Sequence, residues 1–195
     1  MRKAEINRKT AETDISLKLD INGRGNSDID TGCGFLDHML TLFSKHSKFD
    51  LTVKCVGDVN VDFHHTVEDV GICLGEAIKS ALGDKKGIFR YGDCTLAMDE
   101  SLVLTSLDLS GRAGLYYSLT LPAKRLGNFE TELIEEFFLA LVRSSSMTLH
   151  IRQLAGKNTH HILEGAFKSF ARSMRKACEI DPLNPNEVPS SKGVL

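Results

Sequence analysis

Residues 51–83 read LTVKCVGDVNVDFHHTVEDVGICLGEAIKSALG, and this stretch decides the fold. Its first six residues alternate apolar with polar side chains, which is typical of a half-buried strand. From His64 to Leu82 the apolar side chains recur at the period of a helix, and Gly83 marks its end. The stretch therefore predicts a strand, a turn that contains glycine, and a helix that opens on two histidines.

The second half of the chain repeats this plan. Residues 148–154 read as a strand, and a helix is predicted from His160 to Cys178, again opening on a pair of histidines. The recurrence predicts an internal repeat with halves at about 1–90 and 91–180. Residues 1–195 are expected to form one domain, with a breaker-rich tail at 181–195.

The rest of the chain supplies the remaining elements of the two halves. Further strands are predicted at residues 15–21, 94–109 and 115–121 with a turn at 110–114, and further helices at 35–45 and 130–142. Asp99 and Glu100 are interpreted as neighbours in a strand, whose side chains point to opposite faces. They are expected to have a structural role or to support the ligands from behind.

Composition excludes several classes of protein. The chain has 24 basic and 26 acidic residues, 42% hydrophobic residues and 26% charged ones, which argues against a nucleic-acid-coating protein and for a well-packed globular one. No apolar run reaches the roughly 18 residues that span a bilayer, and the charged residues 1–14 lack the apolar core of a signal peptide. The five cysteines are scattered without a CxxC spacing, which favours reduced thiols. We expect a cytoplasmic protein without nucleic-acid or membrane partners.

Each histidine pair is followed by a glutamate at a spacing that suits metal binding. His64 and Glu68 are four residues apart, so both project from one face of a helix, while His65 is rotated by about 100°. His160, His161 and Glu164 repeat the geometry. One such motif is more often a helix cap or an exposed surface feature, but two at repeat-related positions favour a metal site.

An approximate two-fold axis between the halves would let each motif complete the other. The histidine that points aside in one motif would join the His/Glu pair of the other, and the preceding helix of each half would add a further ligand. Imidazole and carboxylate ligands without thiolates suit manganese, iron or zinc, and open coordination positions favour manganese. One predicted site holds His65, His160 and Glu164, and the other holds His64, Glu68 and His161. His38 and Glu136 are the further ligands, one from the preceding helix of each half, so that each ion has four protein ligands.

Four motifs resemble the signatures of the imidazoleglycerol-phosphate dehydratase family. They are GCGFLDHML at 32–40, DFHHTVEDVG at 62–71, NTHHILE at 158–164 and PSSKG at 189–193. The resemblance covers nearly the whole chain. It implies an α+β fold with helices packed between two four-stranded mixed sheets, two manganese ions, and a 24-subunit shell with sites at subunit interfaces. One departure concerns Glu136, because many members of the family have histidine at that position.

The resemblance also implies a reaction in histidine biosynthesis. Water is removed from D-erythro-imidazoleglycerol phosphate to give imidazole acetol phosphate, through a metal-bound imidazolate and a diazafulvene-like intermediate. Glu12 is the implied base, and His46 lines the pocket or assists proton movement. The residues implied to contact the substrate or its phosphate are Glu12, His38, His46, Arg90, Arg112, Lys168, Ser190, Ser191 and Lys192.

Two other functions remain open at this stage. A dinuclear hydrolase of phosphate esters would also combine a His/Glu metal site with basic residues, although no aspartate lies at a plausible bridging spacing. A non-catalytic metal-storage or scaffold shell would use the histidine motifs only for assembly. Without the resemblance, Glu12 reads as an exposed carboxylate and His46 as a solvated helix end.

Overall fold

The computed structural model describes residues 2–195, which contain four helices and ten strands. The helices are α1 Gly34–Ser47, α2 His64–Leu82, α3 Leu133–Ser145 and α4 Thr159–Cys178. The strands are β1 Lys3–Lys9, β2 Thr13–Asp20, β3 Ser27–Asp30, β4 Asp50–Gly57, β5 Tyr91–Met98, β6 Ser101–Asp108, β7 Gly114–Ser118, β8 Arg125–Leu126, β9 Phe129–Glu130 and β10 Thr148–Ala155. Within this part of the chain, each helix is too short or too polar to span a membrane.

The two large sheets have the same topology. The first has the strand order β1-β2-β4-β3 and the second has the order β5-β6-β10-β7. In each sheet three strands are antiparallel and the last, β3 or β7, runs parallel to its neighbour. The predicted α+β fold, with two pseudo-symmetric halves and two mixed four-stranded sheets, is therefore confirmed.

Alternating burial turns one face of each sheet toward the helices. In β2, Ile15, Leu17 and Leu19 are almost completely buried, while the residues between them are more exposed. The helices between the sheets share an aromatic core, in which the ring centroids of Phe43 in α1 of the first half and Phe170 in α4 of the second half are 5.4 Å apart. Fully burying one such side chain stabilises the fold by about 1.5–3 kcal/mol. The core therefore ties the two halves together.

Two glycines allow α2 and α3 to pack closely. A Cβ added at Gly71 would lie 2.7 Å from the backbone oxygen of Phe137, and one at Gly75 would lie 2.5 Å from that of Leu141. Real Cβ atoms do not approach backbone oxygen so closely, because overpacking forces the backbone to shift. The close contact between α2 and α3 thus requires glycine at positions 71 and 75.

Several predicted boundaries were wrong. The predicted strand 94–109 is a hairpin of β5 and β6, because Asp99 has a left-handed φ of 50° and turns the chain. Helix α3 starts at Leu133 rather than residue 130, because Phe129 and Glu130 pair in β9 with β8. Strands β1 and β3 were not predicted. Their side chains are all exposed or of intermediate burial, so the apolar pattern is weak.

The tail lies against the loop that precedes β5. The backbone N–H of Gly87 donates to the oxygen of Glu187 at 2.8 Å, and that of Asp181 donates to the oxygen of Gly87 at 2.7 Å. Gly87 has a φ of 68°, and a Cβ there would clash with the backbone of Pro185. These bonds dock residues 181–189 on the body of the protein.

Candidate metal centre

Three predicted ligands come together where α1 meets the start of α4. The Nε2 atoms of His38 and His160 lie 2.8 Å and 3.2 Å from Oε1 of Glu164. All three ligand atoms lie within 4.8 Å of one another, and we call this group the trio. Two imidazole nitrogens and a carboxylate oxygen without thiolates match the preference of divalent first-row ions. The residues present therefore fit a metal ion.

The local sequence places the trio accurately. Asn158 is the N-cap of α4, and its side-chain oxygen accepts hydrogen bonds from the backbone N–H groups of His160 and His161 at 2.9 Å and 3.3 Å. This cap fixes where the helix begins, so His160 and Glu164 lie one turn apart on the same face. The ring of Phe35 packs edge-on against that of His160, with centroids 5.7 Å apart.

Glu164 is set up to remain ionised. It is 7% exposed, and its Oε2 accepts a hydrogen bond from Nζ of Lys168 at 2.5 Å. Burial raises the pKa of this carboxyl, but the bonds from Lys168 and His38 outweigh that effect and lower the pKa to about 2. The group is therefore a carboxylate ligand at neutral pH.

The motif on α2 is more open. Nε2 of His64 and Oε2 of Glu68 are 4.0 Å apart, and both side chains are nearly half exposed. Metal bonds to such ligands are about 2.0–2.2 Å long, so an ion could contact both. Glu136 on α3 forms no salt bridge or side-chain hydrogen bond with residues 2–195, and its role as a ligand stays a prediction.

The remaining two predicted ligands, His65 and His161, stand apart from the trio within the chain. Nδ1 of His65 lies 2.9 Å from Oδ2 of Asp58, and Nδ1 of His161 lies 2.7 Å from Oε2 of Glu100. These bonds raise the pKa of both histidines. Among residues 2–195 the trio is the one group of three or more such ligands, so a single chain leaves both four-ligand sites incomplete.

The interpretation of Asp99 and Glu100 as strand residues on opposite faces was wrong. Both lie in the turn between β5 and β6, and both carboxylates approach the ring of His161, Asp99 at 3.7 Å from Nε2. The bond from His161 and the backbone bond from Asn158 lower the pKa of Glu100 to about 2. Sequence reasoning missed Asp58 as well, although the turn signal around Gly57 precedes it directly.

Glu12 lies in the turn between β1 and β2, beside the α2 motif. Its Oε1 is 3.6 Å from Nε2 of His65, and its side chain is 52% exposed. The turn is fixed to α2, because Asp69 accepts hydrogen bonds from Thr13 at 2.5 Å and from Arg8 at 3.0 Å. The predicted base is therefore held next to a predicted metal ligand while its carboxylate remains accessible.

His46 lies two turns beyond His38 on α1, at the edge of a basic cleft of about 360 Å³ between α1 and α4. Burial lowers the pKa of His46, and the charges of Lys168 and Arg172 lower it further. A neutral imidazole in this position can accept a proton. The other residues that line the cleft are Lys45, Lys48, Arg175, Lys176 and Glu179.

The predicted phosphate ligands form two groups in the chain. Arg90 makes a two-pronged ion pair with Asp108, at 2.7 Å and 3.1 Å, and its Nη1 donates to the backbone oxygen of Pro189 at 2.9 Å. Arg112 approaches the same aspartate at 3.6 Å, whereas Lys168 bonds to Glu164. Arg90 thus brings the tail turn close to Arg112. That turn holds Ser190, Ser191 and Lys192, and the backbone N–H of Lys192 donates to Oγ of Ser190.

Relatives of this chain share one name. A family model described as imidazoleglycerol-phosphate dehydratase matches residues 31–174. The imidazoleglycerol-phosphate dehydratase of Dinoroseobacter shibae is 55% identical over 195 residues, which cover 100% of this chain and 100% of the relative. That of Desulforamulus reducens is 56% identical over 194 residues, which cover 100% of this chain and 98% of the relative.

Solved structures agree with these sequence matches. The dehydratase of Staphylococcus aureus has a TM-score of 0.84 at 37% identity, covering 92% of this chain and 99% of the other. That of Pyrococcus furiosus has a TM-score of 0.84 at 35% identity, covering 97% and 100%. The chain therefore belongs to the imidazoleglycerol-phosphate dehydratase family, the hydro-lyases that act on a phosphorylated imidazole in histidine biosynthesis.

Proposed function

We propose that this dehydratase uses two manganese ions per subunit to convert D-erythro-imidazoleglycerol phosphate into imidazole acetol phosphate. The observation that carries the proposal is the trio of His38, His160 and Glu164, with its ligand atoms within 4.8 Å of one another. Imidazole and carboxylate ligands with further positions left open favour manganese over metals that prefer closed sites. His64 and Glu68 would hold the second ion.

The chain's own residues account for the binding and proton-transfer steps. Divalent ions would supply electrostatic polarisation of the imidazole ring, which helps it to expel the adjacent hydroxyl. Glu12 would accept the proton from the neighbouring carbon, because its accessible carboxylate lies beside His65. His46, whose pKa is lowered by burial and by the nearby positive charges, would take part in proton movement.

The phosphate would bind near the tail. Arg90 and Arg112 converge on Asp108, and the arginine fork still has unused N–H groups for phosphate oxygens. Ser190, Ser191 and Lys192 would add hydroxyl and ammonium donors from the adjacent turn. Lys168 would contribute from the other end of the substrate, beside the trio.

We also propose that copies of the chain complete one another's sites in a 24-subunit shell. Within residues 2–195, His65 is absent from the trio, and His161 is absent from the His64 and Glu68 pair. A second copy could bring each missing imidazole to its site. Tyr91, Tyr116 and Leu154 each remain more than half exposed on the second sheet, which supports burial against other copies.

The cytoplasm is the compartment we propose for this activity. All five cysteines are free in the part of the chain that the structure describes, and four of them are buried. Thiols in that state are stable where glutathione and thioredoxin keep them reduced. Locating a tagged copy in fractionated cells of the source organism would test this.

Metal removal and reconstitution test the proposed activity. Protein stripped with a chelator is reloaded with manganese, magnesium or zinc, and the ultraviolet absorption of the enol of imidazole acetol phosphate is followed. We expect product only after reconstitution, with manganese the most effective, and loss of product in the His160→Ala variant. Lys54→Ala removes an exposed side chain that pairs with Asp28 on the surface of the first sheet and serves as the control. Full activity without bound metal would contradict the proposal.

A further inference from the structure

We propose that Asp58 and Glu100 are positioning residues that fix the tautomers of His65 and His161. Each carboxylate holds the ring proton on Nδ1 and thereby leaves Nε2 free to bind a metal ion. This inference rests on the proposed role of the two histidines as ligands and extends it to the residues behind them.

The first argument is the geometry of the two contacts. Nδ1 of His65 lies 2.9 Å from Oδ2 of Asp58, and Nδ1 of His161 lies 2.7 Å from Oε2 of Glu100. A carboxylate only accepts hydrogen bonds, so the nitrogen that faces it carries the proton. The lone pair of the neutral ring then belongs to Nε2. Histidines that bind metals are commonly oriented in this way by a carboxylate on the other nitrogen.

The second argument is that the two halves reach the same contact from different positions. Asp58 directly follows β4 in the first half, whereas Glu100 lies in the turn between β5 and β6 in the second. The counterpart of that second turn is the β1–β2 turn, which contains Glu12. If the two carboxylates were simply inherited from an internal repeat, they would lie at matching positions in the two halves. They do not, so what the halves share is the contact of a carboxylate with Nδ1 of the histidine.

The third argument concerns how firmly the two carboxylates are held. Oε1 of Glu100 accepts the backbone N–H groups of Asn158 at 2.8 Å and Lys157 at 3.2 Å, which leaves Oε2 for His161. The backbone N–H of Asp58 donates to the backbone oxygen of Glu12 at 3.1 Å. The carboxylate of Glu100 is therefore held on both of its oxygens, and the backbone of Asp58 is held to the turn that carries Glu12.

Asp58 also destabilises the folded protein in a way that packing alone does not explain. Its Oδ1 is buried and finds no hydrogen-bond partner among residues 2–195. A buried unsatisfied carboxylate oxygen is unfavourable, and an apolar residue would avoid the penalty. The contact with His65 is the benefit that retains an aspartate at this position.

The test combines nitrogen NMR with manganese titration. Spectra of the metal-free protein with ¹⁵N-labelled histidine report which ring nitrogen is protonated. They are recorded above the pH at which the ring signals stop changing, where the rings are neutral. We expect Nδ1–H for His65 and His161 in the unaltered protein. Asp58→Ala should move the proton of His65 to Nε2 and leave His161 unchanged, and Glu100→Ala should do the reverse. Asp99→Asn, on the Nε2 side of His161, is the matched control and should preserve Nδ1–H.

Each alanine variant should also weaken manganese binding at one site by about 10–100-fold and leave the other site intact. Asp58→Asn and Glu100→Gln keep a hydrogen-bond acceptor and should restore part of the affinity. If an alanine variant fails to fold, as judged by circular dichroism, the corresponding amide variant is used in its place. Nε2–H in the unaltered protein, or tautomers indifferent to both variants, would overturn the inference. Failure of the unaltered protein to bind manganese would refute the proposed function instead, because the NMR measurement needs no metal.

Discussion

The two His-His-x-x-Glu motifs share a sequence pattern but differ in how far one chain assembles them. Around Glu164 the chain gathers His38, His160 and Lys168 within hydrogen-bond distance. Around Glu68 the described residues 2–195 offer His64 alone, at 4.0 Å. The same helical spacing therefore gives a formed cluster at the second motif and an open pair at the first.

The residues that surround each motif explain the difference. His38 lies ten residues before the left-handed residue that ends α1, and Glu136 lies ten before the one that ends α3, so the two positions correspond. One turn beyond Glu164 is Lys168, whereas one turn beyond Glu68 is Ile72. The carboxylate of the second motif thus has an imidazole and an ammonium group as partners, from His38 and Lys168. At the corresponding positions the first motif has the carboxylate of Glu136 and the apolar side chain of Ile72. The comparison teaches that the first motif depends more on groups from outside the chain.

The largest effect should follow from removing a ligand of the formed cluster. His160→Ala should lower activity by more than about 100-fold and remove one manganese per subunit, because a ligand matters at least as much as its supporting residues. Glu136→Ala should have a milder effect. Metal analysis by mass spectrometry together with the product assay measures both. If Glu136→Ala empties a site as completely as His160→Ala, the two halves are more alike than the structure indicates.

The helix pairs that carry the motifs should differ in tolerance to an added methyl group. Gly75→Ala places a Cβ 2.5 Å from a backbone oxygen of α3, so it should destabilise the fold by about 1–3 kcal/mol. Gly165→Ala in α4 meets a side-chain methyl of Val103 at 3.1 Å and should cost less. Urea unfolding of metal-free protein gives both values. Equal decreases in the free energy of unfolding for the two variants would show that α2 and α3 do not pack more tightly than α4 packs at Gly165.

Acid should lower the free energy of unfolding through Glu164 of the formed cluster, in a defined pH range. The folded pKa of Glu164 is about 2, below the ordinary value of 4.5, so its carboxylate stabilises the fold fully above pH 4.5. That contribution is lost as the pH falls from about 4.5 toward about 2. Glu164→Gln should lose less stability over this range in metal-free protein, and Lys168→Met should also show a reduced loss. Lys176→Met, two turns further along α4, is the control that should retain the full loss.

The smallest effect should come from making the His64 and Glu68 site resemble the trio. Glu136→His would supply to that site the imidazole that His38 supplies to the trio. We expect manganese affinity at the His64 and Glu68 site to rise by less than about tenfold, because only one of several ligands changes. Calorimetric titration measures the change. A fall in affinity would indicate that the carboxylate of Glu136 is itself a ligand.

The sequence was most informative where periodicity was strong. All four helices and the strands at residues 51–56 and 148–154 were predicted, although α3 begins three residues later than expected. Strands β1 and β3 were missed because they are mostly polar, and the hairpin at Asp99 was missed because an apolar pattern continues on both sides of it. A left-handed turn residue other than glycine leaves little trace in sequence.

The site was predictable only in part. The pairing of His160 with Glu164 follows from helical spacing, and the approach of His38 depends on how α1 packs against α4. Asp58 and Glu100 lie in turns whose paths depend on tertiary contacts, so neither contact with a histidine could be inferred. The family match excludes the hydrolase and storage-shell alternatives, which the motifs alone left open.

The most direct test of the account is diffraction from manganese-loaded crystals at the manganese absorption edge. We predict two anomalous peaks per subunit, one at His38, His160 and Glu164 and one at His64 and Glu68. We also predict that each ion receives an imidazole from a neighbouring copy, His65 at the first and His161 at the second. Peaks coordinated entirely within one chain, or no peak at the trio, would contradict this account.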